Sequence, residues 1–313
     1  MNITVAICTW NRADLLAKTL ARMESLQIPP GMSWELLVVN NACTDNTESI
    51  VQSFRQRLPI RHLYEPKQGH CNARNCAVDA AQGDLMVWTD DDVLVSSHWL
   101  QEYFDASIQF PECDFFGGPI RPWFEGTPPK WMPELLQSYE TVFALRDFLP
   151  ETTTLDRDHL PFGANFAIRR ATQSRFRYDP NLGRKGSGML GSDETTVLTA
   201  VIDAGGKGRW IASAEVLHFI PHSRQTTGYL YRYFSGQGQV LALTAGCEEG
   251  PKIFGRPRWR FRQAIQAAAQ YYASRWICSP VVWAKHLEAY GLACGGLKAS
   301  QSNLHRHETA PSL

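Results

Sequence analysis

The stretch Leu85-Met86-Val87-Trp88-Thr89-Asp90-Asp91-Asp92 decides how this chain is read. Four apolar residues in succession suit a strand buried on both faces, and three carboxylates follow at once. If the backbone stays extended, Asp90 and Asp92 share one side and Asp91 points away. Two converging carboxylates repel each other unless a cation joins them. A hard divalent ion, Mn²⁺ or Mg²⁺, with diphosphate oxygens in its remaining positions would provide that neutralisation. Position carries the inference, because an Asp-x-Asp pair by itself is ordinary turn chemistry.

Upstream, Ile3 to Cys8 is a short β-rich run, and Leu16, Leu20 and Met23 recur at helical spacing within Leu15 to Gln27, with Asn11 or Asp14 as cap. Leu36 to Val39 reads as a second buried strand. Asn40-Asn41-Ala42-Cys43-Thr44-Asp45 and a helix through Phe54 follow it. Ile60 to Tyr64 is a third strand, Asn72 to Ala81 a third helix, and Leu85 to Trp88 the fourth strand. Repeated strand–helix units predict an α/β fold with a mostly parallel central sheet and helices on both faces. Ligands of such sheets bind beyond the carboxyl ends of the strands, where these polar clusters sit. No GxGxxG follows the first strand and no GxxxxGK[ST] is present, which disfavours dinucleotide and P-loop chemistry.

Composition narrows the classes further. With 313 residues, 44% hydrophobic and 20% charged, the chain can bury a large core and is neither fibrous nor wholly disordered. Its 31 basic and 31 acidic residues cancel, so no net positive field favours nucleic acid as a partner. The eight cysteines form no CxxC pair, which suggests reduced thiols. Met1 to Thr9 reads as a strand and not as a signal peptide, and no run of eighteen apolar residues suggests a span. The expected location is cytoplasmic, with peripheral association at the inner face of the membrane as an option.

In the second half, Cys113 to Ile120 suggests a strand whose Gly117 and Gly118 could admit a sugar closely, and Phe162 to Arg170 a strand carrying the polar Asn165. Leu182 to Gly191 is a glycine-rich loop with Arg184 and Lys185. Asp193 and Glu194 then open a helix from Thr195 to Ala204. Strands at Arg209 to Ile211 and Glu215 to Phe219 lead to His218, His222 and Arg224. A helix at Thr226 to Leu243 and a basic, aromatic stretch from Arg256 to Ile277 complete the ordered chain. There Arg256, Arg258, Arg260 and Arg262 suit either an anionic membrane surface or a helix docked on the rest of the protein.

Four segments together carry a resemblance: Ile3 to Arg12, Glu35 to Asp45, Gly69-His70-Cys71-Asn72-Ala73-Arg74-Asn75, and Asp90-Asp91-Asp92. In order and spacing they resemble the family 2 glycosyltransferases of the GT-A fold, a Rossmann-like sheet. The likeness covers about residues 1 to 220. It implies a catalytic domain over 1–225, with a nucleotide-binding half at 1–100 and an acceptor-side half at 101–225, and a helical C-terminal extension with a polar tail at 226–313.

The resemblance also implies a nucleotide-sugar donor, UDP-linked in the first instance, a divalent cation, and inversion at the anomeric carbon. The acceptor would be a glycan, a lipid-linked glycan or a small molecule. By matching segment, Thr9, Asn11 and Arg12 approach base and ribose. Asn41 stands where the family often has an aspartate on the nucleoside. Lys67, Arg74 and Asn75 approach the nucleotide from the third unit. Asp90 and Asp92 meet metal and diphosphate, and His218 completes the metal shell. Asn165 either positions the sugar or belongs to a structural network; from the residues themselves, closure of the glycine-rich loop would bring Arg184 or Lys185 to the leaving diphosphate, and His222 and Arg224 are candidates to face it. Inversion requires a base opposite the leaving group, and the resemblance puts it at Asp193, with Glu194 as second choice or as an orienting group. A nucleotidyltransferase and a non-catalytic nucleotide or glycan binder are the competing readings.

Overall fold

A computed structural model describes residues 2–147, 150–180, 193–244 and 250–299. The chain divides into two compact units, Met1–Trp123 with Ala144–Phe219, and Phe124–Phe143 with Ile220–Leu313. The proline- and aromatic-rich segment 124–143 falls in the second of these units.

The first unit alternates as the sequence periodicity predicts: β1 (Asn2–Thr9), α1 (Ala13–Met23), β2 (Ser33–Asn40), α2 (Thr47–Phe54), β3 (Ile60–Tyr64), α3 (His70–Ala80) and β4 (Leu85–Asp90). After them come β5 (Val93–Val95), α4 (Trp99–Gln109), β6 (Phe115–Gly117), β7 (Ile120–Phe124), β8 (Thr153–Leu155), β9 (Asn165–Arg169), α6 (Arg170–Arg175), α7 (Asp193–Asp203), β10 (Gly208–Trp210) and β11 (Val216–Ile220). Among the described residues an eight-stranded sheet runs β3-β2-β1-β4-β9-β6-β10-β8. Its first four strands are parallel, and β9 returns antiparallel between β4 and β6. A small sheet, β5-β11-β7, lies beside it in the topology and opens directly after the aspartates.

Continuous apolar runs make the central strands, and both their faces are covered: Leu36 to Val39 and Leu85 to Trp88 are buried throughout. Register fixes what emerges at the carboxyl edge. Cys8 pairs with Asp90 and Thr9 with Asn40, so the polar termini of β1, β2 and β4 align. Neither Asn11 nor Asp14 caps α1. Asp45 does, accepting the Ala13 N–H at 2.9 Å while bonding the Thr47 N–H at 3.1 Å and the Thr47 hydroxyl at 2.6 Å. One carboxylate therefore ties the starts of α1 and α2, and these bonds outweigh desolvation and hold it below the usual aspartate range.

The second unit holds α5 (Met132–Leu136), α8 (Thr227–Thr244), a short hairpin of β12 (Lys252–Ile253) and β13 (Arg256–Pro257), α9 (Arg258–Ser274) and α10 (Pro280–Lys298). Helix α10 has no single apolar stripe to announce it. It packs on α8 through Gly291 and Gly295, where a Cβ would fall 2.6 Å from Phe234 and 2.0 Å from the Ser235 carbonyl oxygen; Gly238 meets Leu292 as closely from the other side. No helix among the described residues is long and apolar enough to cross a membrane.

Candidate active site

Two clusters of charge occupy the carboxyl edge of the sheet in the first unit. The first is built on the aspartates. Strand β4 ends at Asp90 and the chain turns, so Asp91 does not point away as an extended backbone would require; Asp91 and Asp92 are both buried. Thr9 donates its hydroxyl to Asp91 Oδ2 at 2.7 Å, and Arg12 Nη1 reaches Asp91 Oδ1 at 3.1 Å and Asp92 Oδ2 at 2.7 Å. Thr9 and Arg12, expected against base and ribose, here brace the aspartate turn. Burial pushes the Asp91 carboxyl up to about 7, with Asp92 and Asp90 adding to the rise and Arg12 opposing it. His218 lies across the cluster, carried by β11 in register with Val93, its Nε2 3.5 Å from Asp92 Oδ1.

This donor set fits a hard divalent ion in part. Among the described residues no three His, Cys, Asp or Glu side chains are grouped as a complete metal cage. An ion of the Mg²⁺ type needs only one or two carboxylates when substrate phosphates supply the rest. Crowded carboxylates sharing one guanidinium are the electrostatic condition that such an ion relieves.

The second cluster centres on Arg74 of α3, which is 2% exposed. Its guanidinium lies 5.4 Å from the Trp88 ring and 5.1 Å from the Tyr178 ring, with Nη1 3.3 Å from Asp193 Oδ2 and 3.5 Å from Glu194 Oε2. Asn75, expected near the nucleotide, instead fixes Tyr178: its amide donates to the Tyr178 carbonyl at 2.8 Å and accepts the Tyr178 N–H at 3.1 Å. Gly163 is required beside the guanidinium, since a Cβ there would fall 2.1 Å from Nη2. The Gly163 N–H also donates to Glu194 Oε1 at 3.2 Å.

Asp193 begins α7 and is buried; its Oδ2 also lies 3.0 Å from His70 Nδ1. Burial alone would raise its pKa, but the Arg74 cation and the His70 hydrogen bond overrule it and hold the carboxyl well below the usual range. Burial and the neighbouring Asp193 push Glu194 the other way, upward. Two adjacent carboxyls are thus driven apart, one kept as a carboxylate acceptor and one inclined to hold a proton. Burial works against the Arg74 cation, yet Asp193, with Glu194 and Asp90 adding to its field, raises its pKa well above the ordinary arginine value. Asp90 therefore links the two clusters electrostatically.

Several expected residues are engaged by the fold. Asn41 donates to the carbonyls of Glu65 at 3.0 Å and Lys67 at 2.9 Å and accepts the Gly69 N–H at 2.8 Å, holding together the loop that leads into α3. Asn11, at φ 52°, uses its side-chain carbonyl on the Thr44 N–H at 2.7 Å. Of the two roles open to Asn165, its contacts fit the structural network. The residue is wholly buried, donates to the Pro119 and Ala214 carbonyls at 2.9 and 2.7 Å, and accepts from Trp99 Nε1 and the Tyr103 hydroxyl at 2.8 Å each. Every hydrogen-bonding position of that amide is filled from the core. Gly118 is likewise needed by the fold, because a Cβ there would fall 2.2 Å from the Ala214 carbonyl oxygen.

The Lys67 side chain is exposed on the rim of an open cleft of about 480 Å³ between Glu65 and α3. His222 and Arg224 belong to the second unit; the His222 N–H bonds Glu125 at 2.8 Å and Arg224 lies 6.0 Å from the Tyr229 ring. Arg184 and Lys185 lie outside the described residues. Three participants escaped the sequence reading: His70, Trp88 as a guanidinium platform, and Tyr178. Only His70 left a sequence signal, as the histidine that opens the α3 motif.

The Glycosyl transferase family 2 pattern matches residues 4–174, which include β1, the aspartate turn, Arg74 and Asn165. The succinoglycan biosynthesis protein ExoM of Rhizobium meliloti (strain 1021) is 26% identical over 255 residues, covering 78% of this chain and 77% of that protein. A validoxylamine A glucosyltransferase of Streptomyces hygroscopicus subsp. jinggangensis is 30% identical over 106 residues, 33% of this chain but 25% of its own length. Among solved structures, the mannosyltransferase PcManGT from Pyrobaculum calidifontis, in complex with GDP-Man and Mn²⁺, superposes with a TM-score of 0.55 at 18% identity, covering 99% of this chain and 76% of that one. S. aureus TarS 1-349 in complex with UDP gives 0.54 at 14% identity, covering 95% and 90%. At these identities the structures speak for the fold, and it is the GT-A fold that the sheet order describes. With the family pattern spanning more than half of the chain, this protein belongs to glycosyl transferase family 2 and is a glycosyltransferase.

Proposed function

We propose that the protein transfers a sugar from a nucleoside-diphosphate sugar, UDP-linked in the first instance, to an acceptor hydroxyl with inversion at the anomeric carbon. One observation carries this reading: Asp193 is held ionised by Arg74 and His70 in the same unit as the aspartate turn. A mannosyltransferase of similar fold binds GDP-Man with Mn²⁺ and another protein of similar fold binds UDP, which supports a nucleotide-sugar donor and a divalent cation.

Asp92 and His218, with Asp90, are the residues that would hold the cation; bound there, it would offset diphosphate charge and ease departure of the leaving group. The remaining chemistry rests on this chain's own side chains. Asp193 accepts the proton of the acceptor hydroxyl as that oxygen bonds to the anomeric carbon, while the bond from that carbon to the diphosphate oxygen breaks and its electron pair leaves with the nucleotide. A carboxylate with a depressed pKa is a weak base but a permanently available one. Proton transfer to it gains driving force only as the hydroxyl acidifies in the transition state. Arg74 and His70 orient the carboxylate, and the Trp88 and Tyr178 rings exclude water from the guanidinium.

The test is a panel of UDP-, GDP- and dTDP-sugars incubated with Mn²⁺ and glycan, lipid-linked and small-molecule acceptors. Products are identified by mass, and their anomeric configuration by NMR. An inverted linkage whose formation stops on chelation is expected. A retained configuration, or full activity without metal, overturns the reading.

A further inference from the structure

Of the four arginines expected either on a membrane surface or on a docked helix, Arg260 is buried, its guanidinium filling the space that a side chain at Gly296 would take. A different surface emerges. Arg258, Arg262, Ile265, Ala269, Tyr272 and Trp276 recur at spacings of three and four residues, and all are exposed. They form one stripe along α9 and the turn after it, cationic at one end and apolar at the other.

Trp276 is 85% exposed and Ile277 83%, and at the tip of the β12–β13 hairpin Phe254 is 94% exposed. Phe254 sits at φ 48°, followed by Gly255 at φ 74°, a left-handed pair that suits a tight hairpin but is strained for phenylalanine. The fold thus bears a local cost and presents a large apolar ring to solvent.

Charge identifies what this face meets. Lys252, Arg258 and Arg262 are exposed here, and between Pro251 and Leu287 the chain has no aspartate or glutamate, although the whole protein is neutral. A second copy of the chain, docked by two-fold symmetry, would set this cationic face against itself. An anionic bilayer offers the complement: headgroup charge for Arg258 and Arg262, and an acyl boundary for aromatic and aliphatic tips.

We propose that the outer face of α9, with the β12–β13 hairpin, docks the protein on an anionic phospholipid surface without spanning it. At 1.5 Å per residue α9 is about 25 Å long, enough to lie in the interface plane.

The experiment is co-sedimentation of the full chain with phosphatidylcholine vesicles, with and without phosphatidylglycerol, in the absence of donor and acceptor, so that its outcome is independent of the transferase reading. Binding to the anionic vesicles alone, released by high salt, is expected. Arg258→Gln with Arg262→Gln should weaken it roughly thirtyfold, at the usual contribution of an exposed cation. Phe254→Ser with Trp276→Ser and Ile277→Ser should weaken it at unchanged net charge, and brominated lipid should quench the wild type more than Trp276→Phe. The surface control Arg55→Gln with Arg175→Gln should bind as wild type. Equal binding to neutral and anionic vesicles, or wild-type binding by both α9-face variants, overturns the proposal. A lipid-free dimer abolished by Trp276→Ser does so too, assigning the face to self-association.

Discussion

His70 Nδ1 and Asp193 Oδ2 lie 3.0 Å apart, joining the first residue of α3 to the first residue of α7 across 123 positions of sequence. The pair gives the carboxylate a second partner beside Arg74, from a side chain that is partly exposed where Arg74 is not. On the proposed function, a base with one buried and one accessible neighbour would have a fixed orientation and a route by which its proton can leave.

Asp193→Asn keeps the size of the side chain and removes its proton acceptance. Transfer should fall by about 100-fold or more, with donor affinity near wild type. His70→Ala should lower kcat by roughly 10- to 100-fold with KM for the donor unchanged, and His70→Asn should recover part of the loss by restoring a donor to the carboxylate. Donor binding by calorimetry and product formation under saturating acceptor separate these effects. Loss of donor binding in either variant would place the pair on the nucleotide.

The depressed pKa of Asp193 has a stability consequence with a definite sign. Its folded value lies below that of the unfolded chain, near 3.9, so the unfolded state binds the proton first as pH falls. The contribution is complete above about pH 5 and is lost progressively below it. Urea midpoints should therefore show Asp193→Asn about 3 kcal/mol less stable than wild type at neutral pH, and the gap should shrink on acidification towards pH 3.5. A gap that widens with acid would contradict the ion pair with Arg74.

Asp92→Asn and His218→Ala should each raise the Mn²⁺ concentration needed for nucleotide binding by about tenfold or more. Thermal stability without metal should change little for His218→Ala. Metal titrations at fixed UDP measure the first quantity. Unchanged metal dependence in both variants would move the ion elsewhere.

Asn165→Ala tests the reassignment of that residue to the core. Trp99 Nε1, the Tyr103 hydroxyl and two carbonyls would lose their partner, at a combined cost of about 3 to 5 kcal/mol. Donor affinity per folded molecule should stay at the wild-type level; a stable variant with weakened donor binding would restore the sugar-contact reading.

Much of the first hundred residues was legible because the signals there are local. Unbroken apolar runs make central strands, and helical spacing makes α1 and α3; both depend on neighbours in sequence. At the aspartates a periodicity argument extends the strand through Asp92, whereas β4 ends at Asp90 and Thr9 and Arg12 hold Asp91. Asn165 looked like a site residue for a sound reason: a polar residue in an apolar strand must be satisfied. What satisfies it comes from 46 to 66 residues away. Helix α10 was missed because glycine packing replaces the amphipathic stripe that periodicity detects.

The cage around Arg74 also sets an order of events during synthesis. At roughly 5 to 20 residues per second, His70 leaves the ribosome about ten seconds before Asp193 does. Through that interval Trp88 can lie near Arg74, but the acid that neutralises the guanidinium has not been made, and sealing an unpaired cation inside the sheet is strongly unfavourable. The nascent N-terminal half must keep that corner wet. It closes only when α7 arrives, so ribosome-bound chains ending before Asp193 should be cleaved by protease near α3, and chains reaching beyond α7 should resist.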